Sequence, residues 1–419
     1  MAEQTLARRL GVSDAVVIGL GSMIGAGVFV SFGPAARAAG SGQLIGLALA
    51  AVVAYCNAAS SAQLAAVYPV SGGTYAYGRA RLGPWWGFTA GWGFVIGKTA
   101  SCAAMAETVA AYAVPGPGWL RRLVGAAVVL ALAAVTSRGI TRTARLTRVL
   151  VTLSLLALGV VVLACVAGGT ADVGHLGTFG GLGTGGPYGI LQSAGLLFFA
   201  LAGYARIATL GEEVRDPART IPRAIFVALA LALVVYLIVA LAALLAVGPQ
   251  ALAGSTAPLL SAMQAGSWSA VSPVVRVGGT LAATGALLAL LTGVGRMSLA
   301  MAREHDLPHW LSAVDAKHQV PQRAELALAA VVVVVVLAVD VRSVIGFSSF
   351  GVLVYYAVAN AAAWTQPDRD RRWPRALHVV GLVGCLVLAA TLPGSSVLVG
   401  LAVFAIGLAG RAVLGDRSR

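Results

Sequence analysis

Charge is scarce in this sequence. Only 11% of its 419 residues are Asp, Glu, Lys or Arg, against about 25% in ordinary soluble domains. A water-soluble fold of this size would lack the ionic groups to cover its surface. Disorder is excluded from the other side, because 59% of the residues are hydrophobic and the mean hydropathy is +0.88. Acids are the rarest charges, with 15 Asp and Glu against 29 Lys and Arg, a net charge of +14. Cysteine is rare too. Cys56, Cys102, Cys165 and Cys385 lie in apolar stretches without CxxC spacing, which predicts buried free thiols rather than a disulfide or metal framework. None of the five histidines, at 175, 305, 309, 318 and 378, sits centrally in an apolar run, and no HExxH is present. An intramembrane enzyme is therefore disfavoured. The N-terminal dozen residues, MAEQTLARRLGV, are polar and basic, so no cleavable signal peptide is expected.

Long apolar runs dominate the remainder. A membrane-crossing helix needs about 20 apolar residues. Twelve candidates emerge, at about 13–39, 43–67, 85–113, 121–136, 145–167, 188–210, 222–247, 271–300, 324–340, 343–364, 376–392 and 396–414. The fold class is an all-α polytopic membrane protein in one transmembrane domain, with the lipid bilayer as its principal partner. With the N-terminus in the cytoplasm, 22 of the 29 basic residues fall in cytoplasmic segments, five outside and two, Lys98 and Arg206, within spans. That bias follows the positive-inside rule. It puts both termini in the cytoplasm and reads the basic excess as topology, not as a nucleic-acid partner.

Two spans carry interruptions. Four glycines fall within nine residues at Gly19, Gly21, Gly25 and Gly27, each worth about 1 kcal/mol against Ala in a helix. No strand precedes them, which argues against a dinucleotide loop. The segment reads as a helix unwound in mid-membrane, tolerated where backbone faces protein or a water-filled cavity. The alternative is a small-residue packing face. The sixth span holds a second such segment, Phe198-Phe199-Ala200-Leu201-Ala202-Gly203-Tyr204. It opens a second block of five spans, and matched interruptions in two halves point to a transporter built on inverted repeats. Residues 13–167 and 188–364 would be the repeats, and 365–419 two added helices.

Four motifs then carry a resemblance. Gly21-Ser22-Met23-Ile24-Gly25-Ala26-Gly27-Val28-Phe29 resembles a GSxIGxGIF segment, and Tyr68-Pro69-Val70-Ser71-Gly72-Gly73-Thr74-Tyr75 a PxSGGxY loop. The stretch from Glu212 to Ile225 is similar to EExxxPxRxIPxAI, and Arg296 through Pro308 to R…AxARDGxLP. These are motifs of the amino acid–polyamine–organocation (APC) permeases, which the chain resembles across nearly its whole length. The resemblance implies a LeuT-like fold of 5+5 inverted repeats, broken helices 1 and 6, and alternating access. The loops also have local physics. Asp216-Pro217 should stop the sixth helix, Thr220 should cap the seventh with Pro222 in its first turn, and Val320-Pro321 should precede the ninth.

Free amides at a helix start attract a carboxylate, and freed carbonyls accept from an ammonium. The breaks thus suit a zwitterionic amino acid. By resemblance, the segment from Gly21 through Met23 to Gly27 contributes Ser22, Ile24, Gly25, Ala26 and Gly27 to the carboxylate, and Phe198, Ala200 and Leu201 take the amine. Phe199, in register with Gly203, matches an aromatic gate. No cofactor is expected; the coupling ion would be H+ or Na+. Some proton-coupled relatives place a lysine in the fifth helix, where this chain has Ser154. Ser154, with Thr292, could instead face sodium or water, or each hydroxyl could bond its own helix. Lys98 lies 14 residues after Pro84 and 15 before Ala113, about 20 Å from either end, too far to snorkel. An intramembrane charge signals function by default. It would serve coupling, or pair with carbonyls of a broken helix. Glu107, about 9 Å from the outer helix end, could face an outer vestibule. Arg206 could pair with Glu212 or Glu213 or line the inner exit. Scarce acids favour small or neutral amino acids over the alternatives of a polyamine or cationic amino-acid carrier; a non-transporting receptor is the remaining alternative.

Overall fold

The computed structural model describes residues 10–70, 72–138, 144–181, 185–210, 213–315, 317–318 and 320–416. Ser71 and Glu212 of the motifs lie outside the described residues, as do the basic residues Arg8, Arg9, Arg142, Arg417 and Arg419 of the charge count. Among the described residues the structure is helical, with one isolated bridge between Leu10 and Val214. The first span is three helices, α1 (Val12–Met23), α2 (Ala26–Val30) and α3 (Phe32–Ala39). Then come α4 (Gln43–Val67), α5 (Gly73–Leu82), α6 (Pro84–Ala113), α7 (Gly118–Thr136) and α8 (Ala144–Ala167). The second block holds α9 (Gly186–Leu201), α10 (Ala205–Ala208), α11 (Pro217–Gly254), α12 (Pro258–Gln264), α13 (Ser272–Arg303), α14 (Gln322–Ala338) and α15 (Val341–Trp364). Last are α16 (Arg375–Thr391) and α17 (Gly394–Asp416).

Nine stretches among the described residues are long and apolar enough to cross a membrane, one of them running through α3 and α4. The three further expected spans correspond to α6, α14 and α16. Helix α6 has 30 residues, about 45 Å, but its middle carries Gly, Ser, Thr and Lys98. Helices α14 and α16 have 17 residues each. Burial separates two layers. The apolar window of α15 is 83% buried and that of α9–α10 is 78% buried, against 22% for α7 and 17% for α17. The inner helices thus bury most of their circumference, and the outer ones present Leu123, Leu130, Leu398 and Ile406 outward, as lipid-facing surfaces do. All four cysteines are buried and free.

The inner layer is polar where three helices meet. Asn57, Ser60 and Gln63 of α4 face Asn360 of α15 and His378 of α16, all within 2% exposure. Asn360 donates from Nδ2 to Asn57 Oδ1 (2.6 Å), so its Oδ1 accepts from Ser60 (2.7 Å). With the Ser60 proton used there, the 2.7 Å contact from Ser60 Oγ to His378 Nδ1 assigns the ring proton to Nδ1. Gln63 Oε1 accepts the backbone N–H groups of Arg372 and Trp373 (2.9 and 3.2 Å), tying the loop before α16 to α4.

Two expectations about this loop need correction. Asp216-Pro217 does not stop the sixth span, because α10 already ends at Ala208. Thr220 does not cap the seventh span. Asp216 turns the chain with a left-handed φ of 45°, and α11 already begins at Pro217. Thr220 lies inside that first turn, and its hydroxyl donates back to the Arg215 carbonyl (2.5 Å).

Two motif loops are joined by ions. Asp306, 4% exposed, accepts from Tyr75 (2.8 Å) and Arg79 (3.0 Å) of α5 and pairs with Arg411 of α17 (3.0 Å). Arg411 also stacks over Trp85 and Phe88. Removing one member of such a cluster strands the others. We predict that Asp306→Asn lowers the stability of the purified protein by about 2–3 kcal/mol, read as a fall in melting temperature in detergent; an unchanged midpoint would contradict the role of the cluster.

Candidate functional site

The glycines of the first span do not share a face. A Cβ at Gly19 would meet Ile207 of α10, at Gly21 Val151 and Thr147 of α8, at Gly25 Ala286 of α13, and at Gly27 Ala200 of α9. Four neighbours approach from four directions, so a single packing stripe is not their arrangement. Helix α1 ends where the Ile24 N–H closes on the Leu20 carbonyl (2.7 Å), and α2 restarts at Ala26. Opposite it, α9 ends at Leu201, passes through one 3-10 turn at Ala202–Tyr204, and continues as α10.

The two interruptions touch. A Cβ on Gly203 would lie 2.5 Å from the Ser22 carbonyl, and one on Gly27 would lie 2.7 Å from Ala200 Cα. Only glycine permits such an approach. Tyr236 of α11, 1% exposed, donates its hydroxyl to both the Met23 carbonyl (2.5 Å) and the Ala200 carbonyl (3.0 Å). Each carbonyl keeps a second lone pair.

A cavity of about 500 Å³ opens beside this junction. Ser22, Met23, Gly27, Phe199, Ala200 and Gly203 form one end. The cavity extends past Arg206 and Glu213 to Arg296, Arg303, Val314 and Pro321. Arg296 and Arg303 lie in the last turns of α13, and Val314 and Pro321 in the loop that follows it, so the cavity communicates with the face of that loop. At its mouth, Asp315 accepts from the His318 backbone N–H (2.8 Å) and ring Nδ1 (2.9 Å), bonds that hold its carboxyl below the usual carboxylate range.

Of the residues singled out from the sequence, Ser22, Met23, Gly27, Phe199, Ala200, Gly203, Lys98 and Arg206 line this cavity. Phe198 points elsewhere, edge-on to Tyr356 at 5.7 Å, so the two adjacent phenylalanines divide between core and cavity. Ser22 Oγ donates to the Ile18 carbonyl (3.0 Å). Gly21, Ile24 and Gly25 instead line a gap of about 10 Å³ with Ser154 of α8 and Ala282 of α13. Ala26 and Leu201 are fully buried and lie outside the cavity wall.

Lys98 is 6% exposed and reaches the Ala202 carbonyl at 3.5 Å, in the 3-10 turn of the second interruption. Tyr356 donates to the same carbonyl (3.3 Å). Both expectations for Lys98 thus meet in one place, a carbonyl of a broken helix and a cavity wall. Ser154 and Thr292 do not share a cavity. Ser154 donates to the Leu150 carbonyl (2.7 Å) and Thr292 to the Ala289 carbonyl (2.9 Å), each on its own helix, and Thr292 lines a separate space with Arg206. Glu107 lines an outer pocket of about 160 Å³ with Arg121, Arg122 and Asp340, sharing no residue with the main cavity. Arg206 donates to Thr209 (3.0 Å), while Glu213 sits 3.8 Å from Arg296. Glu212, the other partner considered for Arg206, lies outside the described residues.

Several site residues went unread in the sequence. Phe94, Ser101 and Met105 line the cavity on the face of α6 that holds Lys98, and their i, i+3 and i+4 spacing around it was the available signal. Leu290, Gly293 and Met297 of α13 complete the wall. Tyr236 had only its solitary hydroxyl in an apolar span to announce it. Glu325, 2% exposed, is a second buried carboxylate, packed behind α13 against Gly295 and outside the cavity.

Comparison with known proteins identifies the family. The family model described as amino acid permease matches residues 10–412. An uncharacterized transporter of Mycobacterium tuberculosis is 57% identical over 406 residues, covering 96% of this chain and 90% of the relative. A branched-chain amino acid permease of Bacillus subtilis is 27% identical over 402 residues, 91% and 85% of the two chains. The human cationic amino acid transporter 4 is 28% identical over 381 residues, 84% of this chain and 59% of the relative. With helices apolar enough to cross a membrane and a family model spanning almost its whole length, the chain belongs to the amino acid permease family of transporters.

Proposed function

We propose that this chain is a twelve-span amino-acid carrier of the LeuT-like type that works by alternating access, with both termini in the cytoplasm. Helices α1 to α8 and α9 to α15 form the two inverted repeats, and α16 and α17 are additions. The observation that carries the reading is the contact of the two interrupted helices at Gly203 and Gly27 beside a cavity lined by Ser22, Phe199 and Lys98. The substrate carboxylate binds backbone amide groups at the start of α2, where Gly27 lines the cavity, and its ammonium binds carbonyls of the two interruptions. Phe199 packs on the substrate and closes the path to the outer face. The charge bias of the loops makes the cavity mouth cytoplasmic, so the structure corresponds to an inward-facing state.

Coupling falls to Lys98. Its ammonium stands at a carbonyl of the second interruption, and Ser154 leaves the fifth helix without a lysine. Proton binding and release at Lys98 would bias the 3-10 turn, and with it the closure of the site, as a ligand with different affinities for two states must.

The test is uptake and counterflow in proteoliposomes under imposed proton and sodium gradients. We expect accumulation of amino acid above protein-free vesicles, driven by the proton gradient; binding without accumulation would identify a receptor instead. Lys98→Met is predicted to remove the dependence of uptake on pH between about pH 5 and 8, since it deletes the buried amine of the cavity wall. An unaltered pH profile in that variant would exclude Lys98 from coupling.

A further inference from the structure

The charges on the cavity wall are one-sided. Among the described residues, Lys98, Arg206, Arg296 and Arg303 line it against a single carboxylate, Glu213. Glu213 is engaged with Arg296 at 3.8 Å, and Arg206 bonds only the neutral Thr209 among the described residues. Lys98 is the most buried of these cations, and its one bond among the described residues is the long one to the Ala202 carbonyl. Among the described residues no carboxylate is paired with it. Glu107 is nine residues further along α6, about 13 Å away, in the separate outer pocket. Glu325 lies behind α13, beside Gly295.

We propose that the cavity selects amino acids bearing a second, side-chain carboxylate, which pairs with the Lys98 ammonium. This deepens the amino-acid carrier reading above and rests on it. A buried charge facing a cavity is stabilised by an opposite charge brought to it. A zwitterion carries no net charge and, held at both of its own ends by the interruptions, leaves Lys98 uncompensated. A cationic side chain adds like charge to a wall that already carries four cations. A side-chain carboxylate supplies the missing counter-ion. Ser101, one turn beyond Lys98 on the same face of α6, lines the same cavity, and its hydroxyl stands 2.7 Å from that of Ser348. By turning its proton from the Gly97 carbonyl, to which it donates at 3.2 Å, Ser101 can hold one carboxylate together with Lys98. The arginines toward the mouth raise the local concentration of an anion along its route. If Lys98 carries the coupling proton, the loaded site is neutral when proton and anion travel together, which eases the transition between states.

The experiment uses the full-length protein in proteoliposomes at pH 7 without ion gradients. Self-exchange is measured for aspartate, glutamate, their amides asparagine and glutamine, leucine and arginine. The acids match their amides in shape, so the ratio isolates charge. We expect the half-saturation concentration to be at least about tenfold lower for an acid than for its amide, and arginine to be exchanged most poorly. Lys98→Met should bring the acid-to-amide ratio close to one, and Lys98→Arg should retain a preference. The wild-type ratio decides the proposal even if a Lys98 variant does not insert. Equal or better exchange of the amides, leucine or arginine would overturn anion selection and leave the carrier reading in place. Exchange of none of the six would overturn both.

Discussion

A hydroxyl at membrane depth holds the centre of this molecule together. Tyr236 reaches from α11 to the Met23 and Ala200 carbonyls, one on each interrupted helix. Unpaired backbone is costly in a low-dielectric interior, so an interruption survives there only if neighbours supply bonds. The glycines permit the two segments to meet, but glycine supplies no bond. Tyr236, Tyr356 and Lys98 do, each donating to a carbonyl that a regular helix would have used internally. The cavity exists beside these bonds because the helices are broken there.

Where the chain carries charge, the charge fastens loops. Asp306 draws the loop after α13 to α5 and α17, and the backbone of Leu10 pairs with Glu213 and Arg215 on the loop before α11 (3.1 and 2.9 Å). The residues of the three loop motifs therefore meet on the face where the cavity opens, and the segment Gly21–Phe29 is the motif that reaches the interruptions.

The legibility of the sequence follows the same division. Apolar length is additive along the chain, so α4 at Gln43–Val67 and α15 at Val341–Trp364 fall where hydropathy puts them. Interruptions were legible because glycine density is local. Helix α6 also falls where the sequence puts it, at Pro84–Ala113, although Lys98 and Ser101, which weaken its hydropathy, face the cavity. The roles of Tyr236 and Ser348 depend on which helices become neighbours, and no local pattern states that. Thr220 shows the converse. Its cap role is correct as a propensity, but the left-handed Asp216 lets the helix start earlier and turns the hydroxyl into a tie to Arg215. Of the two readings of Ser154 and Thr292, a shared ion or a bond within each helix, the hydroxyls take the second.

The most direct measurement is thiol labelling of a Ser22→Cys variant in membrane vesicles of known orientation. The native cysteines are buried, so they contribute little background. If the junction of the interrupted helices is the substrate site, an impermeant thiol reagent labels that position from the cytoplasmic face, and a transported amino acid slows the reaction several-fold. Labelling at the same rate with and without every amino acid that the protein exchanges would place the substrate elsewhere.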